Sequence, residues 1–211
     1  MASLKKLTFL SIIVALIVGF SGCGKKEDNI VSDNYSETRQ TKDKYFKEDP
    51  DSPLLDEDKG SFARLNYYEP DSKYKFTGQI QKYEEQDVVE MLTSTSDLRK
   101  YYKYGYFNFK IDGNDHSIQL YKEVGQNASG VTSYFVPFKD LTNGSETYSA
   151  GRYLDISASE SDIITIDFNE AYNPYCTYSP FYSCPLPPFE NHLRVAIEAG
   201  EKNFKTAEAK G

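Results

Sequence analysis

The chain has 211 residues and a formal net charge of −8, with 24 Lys and Arg against 32 Asp and Glu. This acidic balance argues against nucleic acid as a partner, because contacts between cationic side chains and phosphates supply most of the affinity in nucleic-acid binding. The length is sufficient for one domain with a hydrophobic core, in addition to a leader and a linker.

Residues 1–22 have the pattern of a secretory signal peptide. Two lysines precede an apolar run over residues 7–20, and a Ser-Gly pair stands directly before Cys23. The apolar run is shorter than the roughly 20 residues that a membrane-spanning helix needs, although an uncleaved anchor is the alternative. A cysteine after Ser-Gly resembles the lipobox of bacterial lipoproteins, which implies cleavage before Cys23 and acylation of its thiol. We therefore expect a lipid-anchored envelope protein, held at the outer membrane on its periplasmic or surface face.

Residues 23–60 are predicted to form the acylated cysteine and a flexible tether. The segment is polar and carries four acidic residues between Asp51 and Asp58. Such a segment buries too little apolar surface to offset the entropy lost on ordering. A coil of this length reaches roughly 30–35 Å, which is enough to lift a domain clear of lipid headgroups. The predicted domain then covers residues 61–203, and a short tail covers 204–211.

From residue 62 onward, short runs of alternating apolar and polar residues are separated by turn residues. Strands are predicted over residues 74–80, 88–93, 103–111, 117–124, 134–138, 147–156 and 163–168. Asp-Gly-Asn-Asp at 112–115 is a strong hairpin signal, and Pro137 places its strand at a sheet edge or a strand end. Many short strands without intervening helices predict a mainly β fold, a single antiparallel β-sandwich or barrel-like domain.

The chain changes character after the last of these strands. Residues 169–189 contain five of the nine prolines, which excludes a helix and disfavours a central strand. Six aromatic residues in this stretch supply area to bury, so we expect an ordered, irregular segment that packs on the sheet. A short C-terminal helix is predicted next, with Asn191 as its N-cap and Gly200 just past its end.

Several sequence blocks in the second half of the chain resemble one family. They are Glu146-Thr147-Tyr148, Gly151–Asp155, Asp167–Cys176, Ser183–Pro188, Glu190-Asn191 and Ala199–Lys202. Together with Leu65-Asn66-Tyr67-Tyr68, they are similar to the domain-of-unknown-function 1684 family of bacteria and archaea, over about residues 60–203. No chemistry is established for that family, so the resemblance implies neither an activity nor a cofactor.

Cys176 and Cys184 bracket seven residues of the Pro-rich segment. With Cys23 assigned to lipid, they are the remaining thiols, and in an exported protein such a pair predicts a disulfide. Two buried free thiols are the first alternative. The second is a zinc site that also uses His192, although neither CxxC nor HxxxH is present.

A small hydrolase is the enzymatic alternative, with Cys176 or Ser179 in the Pro-rich segment as nucleophile. Such a nucleophile needs a base, and the only histidines are His116 and His192. No Gly-x-Ser-x-Gly elbow is present. We therefore favour a small-ligand binding or structural module over an enzyme, with a small molecule or another envelope protein as its partner.

Arg152 is the candidate ligand-gripping cation. Alternate strand residues share a face, so Arg152 and Asp155 point to opposite sides of their strand. If strands 147–156 and 163–168 form a hairpin, Arg152 or Asp155 can meet Asp167 across it. Such a pair is either a structural ion pair or a bidentate grip on a carboxylate or phosphate. Further polar side chains follow directly and are candidates to line the same pocket: Asn169, Tyr172 and Asn173.

Overall fold

The computed structural model describes residues 28–125, 133–157 and 162–204, with side chains from residue 34 onward. The predicted signal peptide, the lipidation site Cys23 and nearly all of the predicted tail lie outside these residues. Two helices are α1 (Asp28–Glu48) and α2 (Asp56–Lys59). The strands are β1 (Lys75–Gln79), β2 (Gln81–Lys82), β3 (Val88–Leu92), β4 (Leu98–Ile111), β5 (Asn114–Glu123), β6 (Ser133–Phe138), β7 (Arg152–Ser157) and β8 (Ile163–Asp167).

The strands form two antiparallel sheets. The larger sheet has six strands in the order β2-β4-β5-β6-β7, with β3 also paired to β4, and the smaller sheet pairs β1 with β8. Side chains of both sheets share one buried cluster, which includes Ile118 and Val136 from the large sheet and Ile166 from the small one. The fold is therefore mainly β, as predicted, and in the described part of the chain the sheets do not close into a barrel.

The predicted β4–β5 hairpin is confirmed. Ile111 pairs with Asn114, so the connecting loop has two residues. Asp112 and Gly113 have φ angles of 49° and 80°, which is the left-handed geometry of a tight hairpin turn. Strands are also present at the other predicted positions, but β7 begins at Arg152 rather than at 147. The preceding residues form a turn, in which the Thr147 amide donates to the Thr142 carbonyl at 3.1 Å.

The hairpin considered for the strands at 147–156 and 163–168 is not formed. β7 pairs with β6, and β8 pairs with β1. The other edge of β7 is occupied by the Pro-rich segment, since Tyr153 and Tyr172 exchange two backbone hydrogen bonds of 2.9 and 3.0 Å. Arg152 therefore cannot meet Asp167 as a cross-strand neighbour.

The expectation of a flexible tether over residues 23–60 is wrong in its described part. Residues 28–48 form α1, and four of its side chains recur at helical spacing on the side that faces the domain: Tyr35, Arg39, Lys42 and Phe46. Phe46 is fully buried in a second cluster with Leu54, Phe62, Leu65 and Tyr178. Among the described helices, none is both long enough and apolar enough to span a membrane.

The short C-terminal helix after Asn191 is also not formed. Asn191 ends a single 3-10 turn, Phe189–Asn191, and its side-chain amide donates to the carbonyls of Gln119 and Pro137 instead of capping a helix. The following residues run alongside the chain after β6, with the Leu193 amide donating to the Lys139 carbonyl at 2.8 Å. Leu193 and Ile197 thus reach the main core from an irregular segment instead of a helix.

Candidate functional site

A cleft of about 630 Å³ opens between α1, the large sheet and the Pro-rich segment. Eight aromatic side chains line it: Tyr45, Phe46, Tyr101, Phe135, Tyr153, Tyr172, Tyr175 and Tyr182. Four charged side chains also line it: Lys42, Arg99, Glu123 and Asp155. A concave, mainly aromatic site with a few polar groups and a volume of several hundred Å³ is typical of small-molecule binding.

The floor of the cleft is the face of the large sheet that points away from the main core. Alternation along β6 places Val136 in the core and Phe135 in the cleft, and along β7 it does the same for Leu154 and Asp155. Phe135 and Asp155 are direct cross-strand partners. The Phe135 ring also lies against Tyr101, with 5.5 Å between ring centroids, so the floor is preformed by packed rings.

The Pro-rich segment forms one wall, and backbone hydrogen bonds fix it to β3 and the turn that follows. The Leu186 amide donates to the Leu92 carbonyl at 2.7 Å, and the Ser94 amide donates to the Cys184 carbonyl at 2.8 Å. The Tyr153 hydroxyl donates to the Pro185 carbonyl from the sheet below. The Pro-rich segment contains no strand of its own. It is held by β3 and its following turn on one side and by Tyr153 of the large sheet on the other.

The charged lining groups have partners within the protein. Lys42 forms a 2.8 Å salt bridge with Glu201, a residue that is only 1% exposed. The Tyr172 hydroxyl donates to Asp155 at 2.6 Å, and burial together with this carboxylate raises the pKa of Tyr172. Arg99 donates to the Ser183 carbonyl at 2.7 Å. Two cationic and two anionic residues line the cleft, so its formal charges cancel.

Burial raises the pKa of four phenols of the cleft, those of Tyr101, Tyr153, Tyr172 and Tyr175, so these four remain protonated at neutral pH. Burial raises the pKa of Tyr101 to about 12, and it raises the pKa of Tyr175 to about 12 as well. These hydroxyls therefore present hydrogen-bond donors and acceptors rather than charge. The site combines flat apolar surface with neutral polar groups.

Arg152, the predicted ligand-gripping cation, does not line the cleft. Its side chain is 0% exposed and donates to Asp140 Oδ2 at 2.9 Å. The same guanidinium donates to three backbone carbonyls, those of Ile197, Ala199 and Glu201. Arg152 thus joins the start of β7 to residues 197–201, and its ion-pair partner is Asp140 rather than Asp167.

Of the other predicted ligand-binding residues, one lines the cleft and three form structural contacts outside it. Tyr172 lines the cleft. Asp167 accepts hydrogen bonds from Tyr35 and from the Asn169 amide, and Asn169 in turn bonds the backbone of Asp71. Asn173 is buried and donates to Glu201 at 3.1 Å. The structure therefore brings one of the five predicted ligand-binding residues into the cleft, and the other four make structural contacts outside it.

Cys176 and Cys184 are free thiols in the structure, and the two residues are in direct contact. The Cys176 amide donates to Cys184 Sγ at 3.2 Å. The disulfide stays a prediction. Within the described residues, no three His, Cys, Asp or Glu side chains come together as a metal-binding group, so the zinc alternative gains no support from the geometry.

The nucleophile–base geometry of a hydrolase is not present at either candidate. Ser179 is buried and accepts a hydrogen bond from the Phe181 amide. His192 contacts the Pro187 carbonyl at 3.2 Å, and His116 lies against Phe109. Neither imidazole is hydrogen-bonded to Cys176 or Ser179.

Sequence reasoning missed the α1 wall and the sheet floor. One signal was available for the floor, since the predicted strand at 134–138 carries apolar residues at every position rather than at alternate ones. A strand of this kind is covered on both faces. A signal for α1 was the 4, 3, 4 spacing of Tyr35, Arg39, Lys42 and Phe46, which is helical although only its two end members are aromatic.

The fold and the cleft define a mainly β protein with an aromatic site between a docked helix and a Pro-rich wall. Residues 60–202 match the model of the family described as "Protein of unknown function (DUF1684)". The chain belongs to this family, as the sequence blocks predicted. No curated protein matches the chain.

A solved structure extends the comparison beyond the family region. The chain is similar to an uncharacterized protein of Haloarcula marismortui determined by solution NMR, with 33% identity and a TM-score of 0.64. The match covers 82% of this chain and 95% of that chain. This share exceeds residues 60–202 together with the nine residues that follow, so the matched region extends into the segment before residue 60.

Proposed function

We propose that this chain is a lipid-anchored binding protein of the cell envelope, which holds a small uncharged molecule in the aromatic cleft. The ligand class is a molecule with at least one flat or ring-shaped apolar face and with hydroxyl or amide groups at its edge. The observation that carries the proposal is the cleft itself, with eight aromatic residues around about 630 Å³.

The charge arrangement supports an uncharged ligand. Lys42 and Asp155 are already engaged by Glu201 and Tyr172, so a charged ligand would have to compete with partners that are in place. Flat aromatic surface stabilises a ring by stacking and by the hydrophobic effect. Neutral phenols and the hydroxyls of Ser133 and Ser183 supply hydrogen bonds at the rim.

The cellular location belongs to the same proposal and rests on the sequence of residues 1–23. A charged start, a short apolar run and Ser-Gly-Cys support export, cleavage before Cys23 and attachment to the outer membrane. We also interpret the two sheets that share a core as a small antiparallel sandwich. Replacement Cys23→Ala is expected to abolish incorporation of labelled palmitate and to leave the precursor uncleaved. A mature chain without lipid in wild-type cells would contradict the location.

The test of binding uses neutral phenyl glycosides as probes, because they combine a flat ring with a hydroxylated edge and carry no charge. Isothermal titration calorimetry of the purified full chain is expected to show saturable binding. Ser133→Trp adds bulk at an exposed position in the cleft and is expected to weaken binding at least tenfold, about 1.4 kcal/mol. The matched control is Ser117→Trp, an exposed serine on the neighbouring strand β5 that does not line the cleft.

Two further results would contradict the binding proposal. One is equal affinity of the Ser133→Trp and Ser117→Trp variants for the probe. The other is the absence of any bound molecule in native mass spectra of the chain purified from envelopes, together with no heat from any glycoside. The second result would favour a purely structural role in the envelope.

A further inference from the structure

The two thiols of the Pro-rich segment meet because each is fixed from a different side. Cys176 lies on the 3-10 turn Tyr175–Thr177, whereas Cys184 is held to the turn after β3. The Cys184 amide donates to Ser94 Oγ at 3.1 Å, and its carbonyl accepts from the Ser94 amide. The Cys176 amide donates to Cys184 Sγ at 3.2 Å, so the two cysteines are in direct contact.

We propose that Cys176 and Cys184 form a redox-active dithiol that exchanges with small external disulfides, with Cys176 as the attacking thiol and Cys184 as the resolving thiol. The proposal does not depend on what the cleft binds. It rests on the juxtaposition of the two sulfurs and on their unequal exposure. Cys184 is 8% exposed, whereas Cys176 is only half-buried, so an incoming disulfide reaches Cys176 first.

The surroundings of Cys176 favour its thiolate form. The Cys184 thiol is placed to donate a hydrogen bond to Cys176, and the Tyr148 hydroxyl lies 3.9 Å from Cys176 Sγ. The hydrogen bond from Cys184 lowers the pKa of Cys176 to about 6 against the opposing effect of burial, and the same bond, together with burial, raises the pKa of Cys184. Arg99, Tyr153 and Tyr172 are further titratable side chains near the pair.

The exchange proceeds in two displacements that balance. The Cys176 thiolate attacks one sulfur of an external disulfide R–S–S–R, a Cys176–S–S–R bond forms, and one R–S⁻ leaves and takes a proton from water. Cys184 gives its proton to solvent, attacks the Cys176 sulfur and expels the second R–S⁻. The protein loses two electrons and forms the Cys176–Cys184 bond, and R–S–S–R is reduced to two R–SH.

The asymmetry of the pair also fits the second displacement. The largest cause of the raised pKa of Cys184 is its hydrogen bond with Cys176. That cause disappears once Cys176 is held in the mixed disulfide, so Cys184 becomes easier to deprotonate at the stage when it must attack. Cys184 also lines the cleft, so the redox state of the pair changes one wall of the cleft.

The experiment treats the reduced full chain with oxidised glutathione and follows each cysteine by peptide mass spectrometry, so that Cys23 is counted separately. We expect wild type to form the Cys176–Cys184 disulfide and the Cys184→Ser variant to stop at a Cys176–glutathione adduct. The rate of Cys176 alkylation by iodoacetamide in wild type is expected to have its midpoint near pH 6, rather than near the ordinary value of about 8.5.

Two variants separate the role of each group. Tyr148→Phe removes the hydroxyl beside Cys176 and is expected to shift the alkylation midpoint upward without changing the circular dichroism spectrum. Cys176→Ser is expected to leave Cys184 reacting with oxidised glutathione much more slowly than Cys176 does in wild type, because Cys184 is only 8% exposed. Equal reactivity of the two cysteines, with midpoints near 8.5, would overturn the proposal. A chain isolated with the bond already closed, which reduced glutathione cannot open, would also overturn it, because the bond would then be a structural disulfide.

Discussion

Lys42 and Glu201 lie 159 residues apart in the chain, and their side chains form a 2.8 Å salt bridge beside the cleft. Glu201 also accepts hydrogen bonds from the Asn173 side chain and the Tyr178 hydroxyl. The carboxylate is 1% exposed, and its burial raises its pKa, whereas the Lys42 ammonium opposes this shift. Helix α1 thus supplies the counter-charge for an acid buried by the C-terminal part of the domain.

Removal of this counter-charge is expected to destabilise the domain. Lys42→Met keeps much of the apolar stem but leaves the Glu201 carboxylate buried without a cation. We expect the free energy of unfolding in urea at pH 7 to fall by about 2–3 kcal/mol, less than for a fully buried pair because Lys42 is 25% exposed. The double variant Lys42→Met with Glu201→Gln is expected to recover part of this loss, since it removes the unpaired charge. No recovery in the double variant would contradict the assignment.

The same pair predicts the sign of a pH dependence. The folded-state pKa of Glu201 is raised, so between the unfolded value of about 4.3 and the folded value the native state binds more protons than the unfolded state. Stability from this group is therefore present below the unfolded pKa and is lost as the pH rises through the folded pKa. Lys42→Met raises the folded pKa further, so we expect the variant to regain more stability than wild type when urea unfolding is measured at pH 5 instead of pH 7. The variant that also carries Glu201→Gln is the control without this dependence.

Arg152 and Asp140 are both fully buried, so Arg152→Met is expected to cost more than a surface replacement. The variant leaves the Asp140 carboxylate without a cation and three backbone carbonyls without a donor, a loss of about 3–5 kcal/mol. Arg152→Lys is not expected to restore it, because an ammonium cannot reproduce the planar fork. The matched control is Lys110→Met, whose partner Asp115 is exposed and whose effect should be within about 0.5 kcal/mol. Equal unfolding midpoints for Arg152→Met and Lys110→Met would refute the structural role.

Local sequence patterns predicted most of the strands, but they did not predict which strands pair when these lie far apart in the chain. The Asp-Gly turn at 112–113 places both φ angles in the left-handed region, so the β4–β5 hairpin follows from two residues. The partner of β8 does not follow in this way. β8 pairs with β1, 88 residues earlier, because Ile164 and Ile166 join a core that only the assembled sheets create. No spacing in the sequence encodes that choice.

The candidate site was predicted only in part, because it also depends on contacts between residues that lie far apart in the chain. Tyr172 and the Pro-rich segment were expected at the functional end, and both form the wall of the cleft. Arg152 was expected beside them, but its ion-pair partner Asp140 lies just before the Asn143-Gly144 turn, outside the strands considered for pairing. Helix α1 was missed because polar contacts such as Lys42–Glu201 dock it, and a search for apolar periodicity does not detect them.

Three glycines are expected to respond differently to alanine because their backbones differ. Gly113→Ala places a side chain at a φ of 80° in open space, so we expect a loss of about 1 kcal/mol from backbone strain alone. Gly60 has a φ of −65° and also faces open space, so Gly60→Ala should be neutral or slightly stabilising. Gly200→Ala would place its Cβ 2.6 Å from the Phe168 carbonyl oxygen at a φ of 75°, so it should cost most. Thermal unfolding of the three variants checks this order, and an equal loss for Gly60 and Gly113 would contradict it.

Docking of α1 onto the domain predicts slow hydrogen exchange in a segment whose composition is typical of a tether. We expect amides from Arg39 to Phe46 to be protected, because Arg39 donates to the Tyr68 carbonyl at 3.0 Å and Phe46 is fully buried. Phe46→Ala removes the aromatic centre of the second cluster and should raise exchange throughout α1 more than in β4 and β5. Lys47→Ala, at the exposed neighbouring position, should leave exchange in α1 unchanged. Exchange of the wild-type helix at unprotected rates, with β4 and β5 still protected, would show that residues 28–48 are a tether after all.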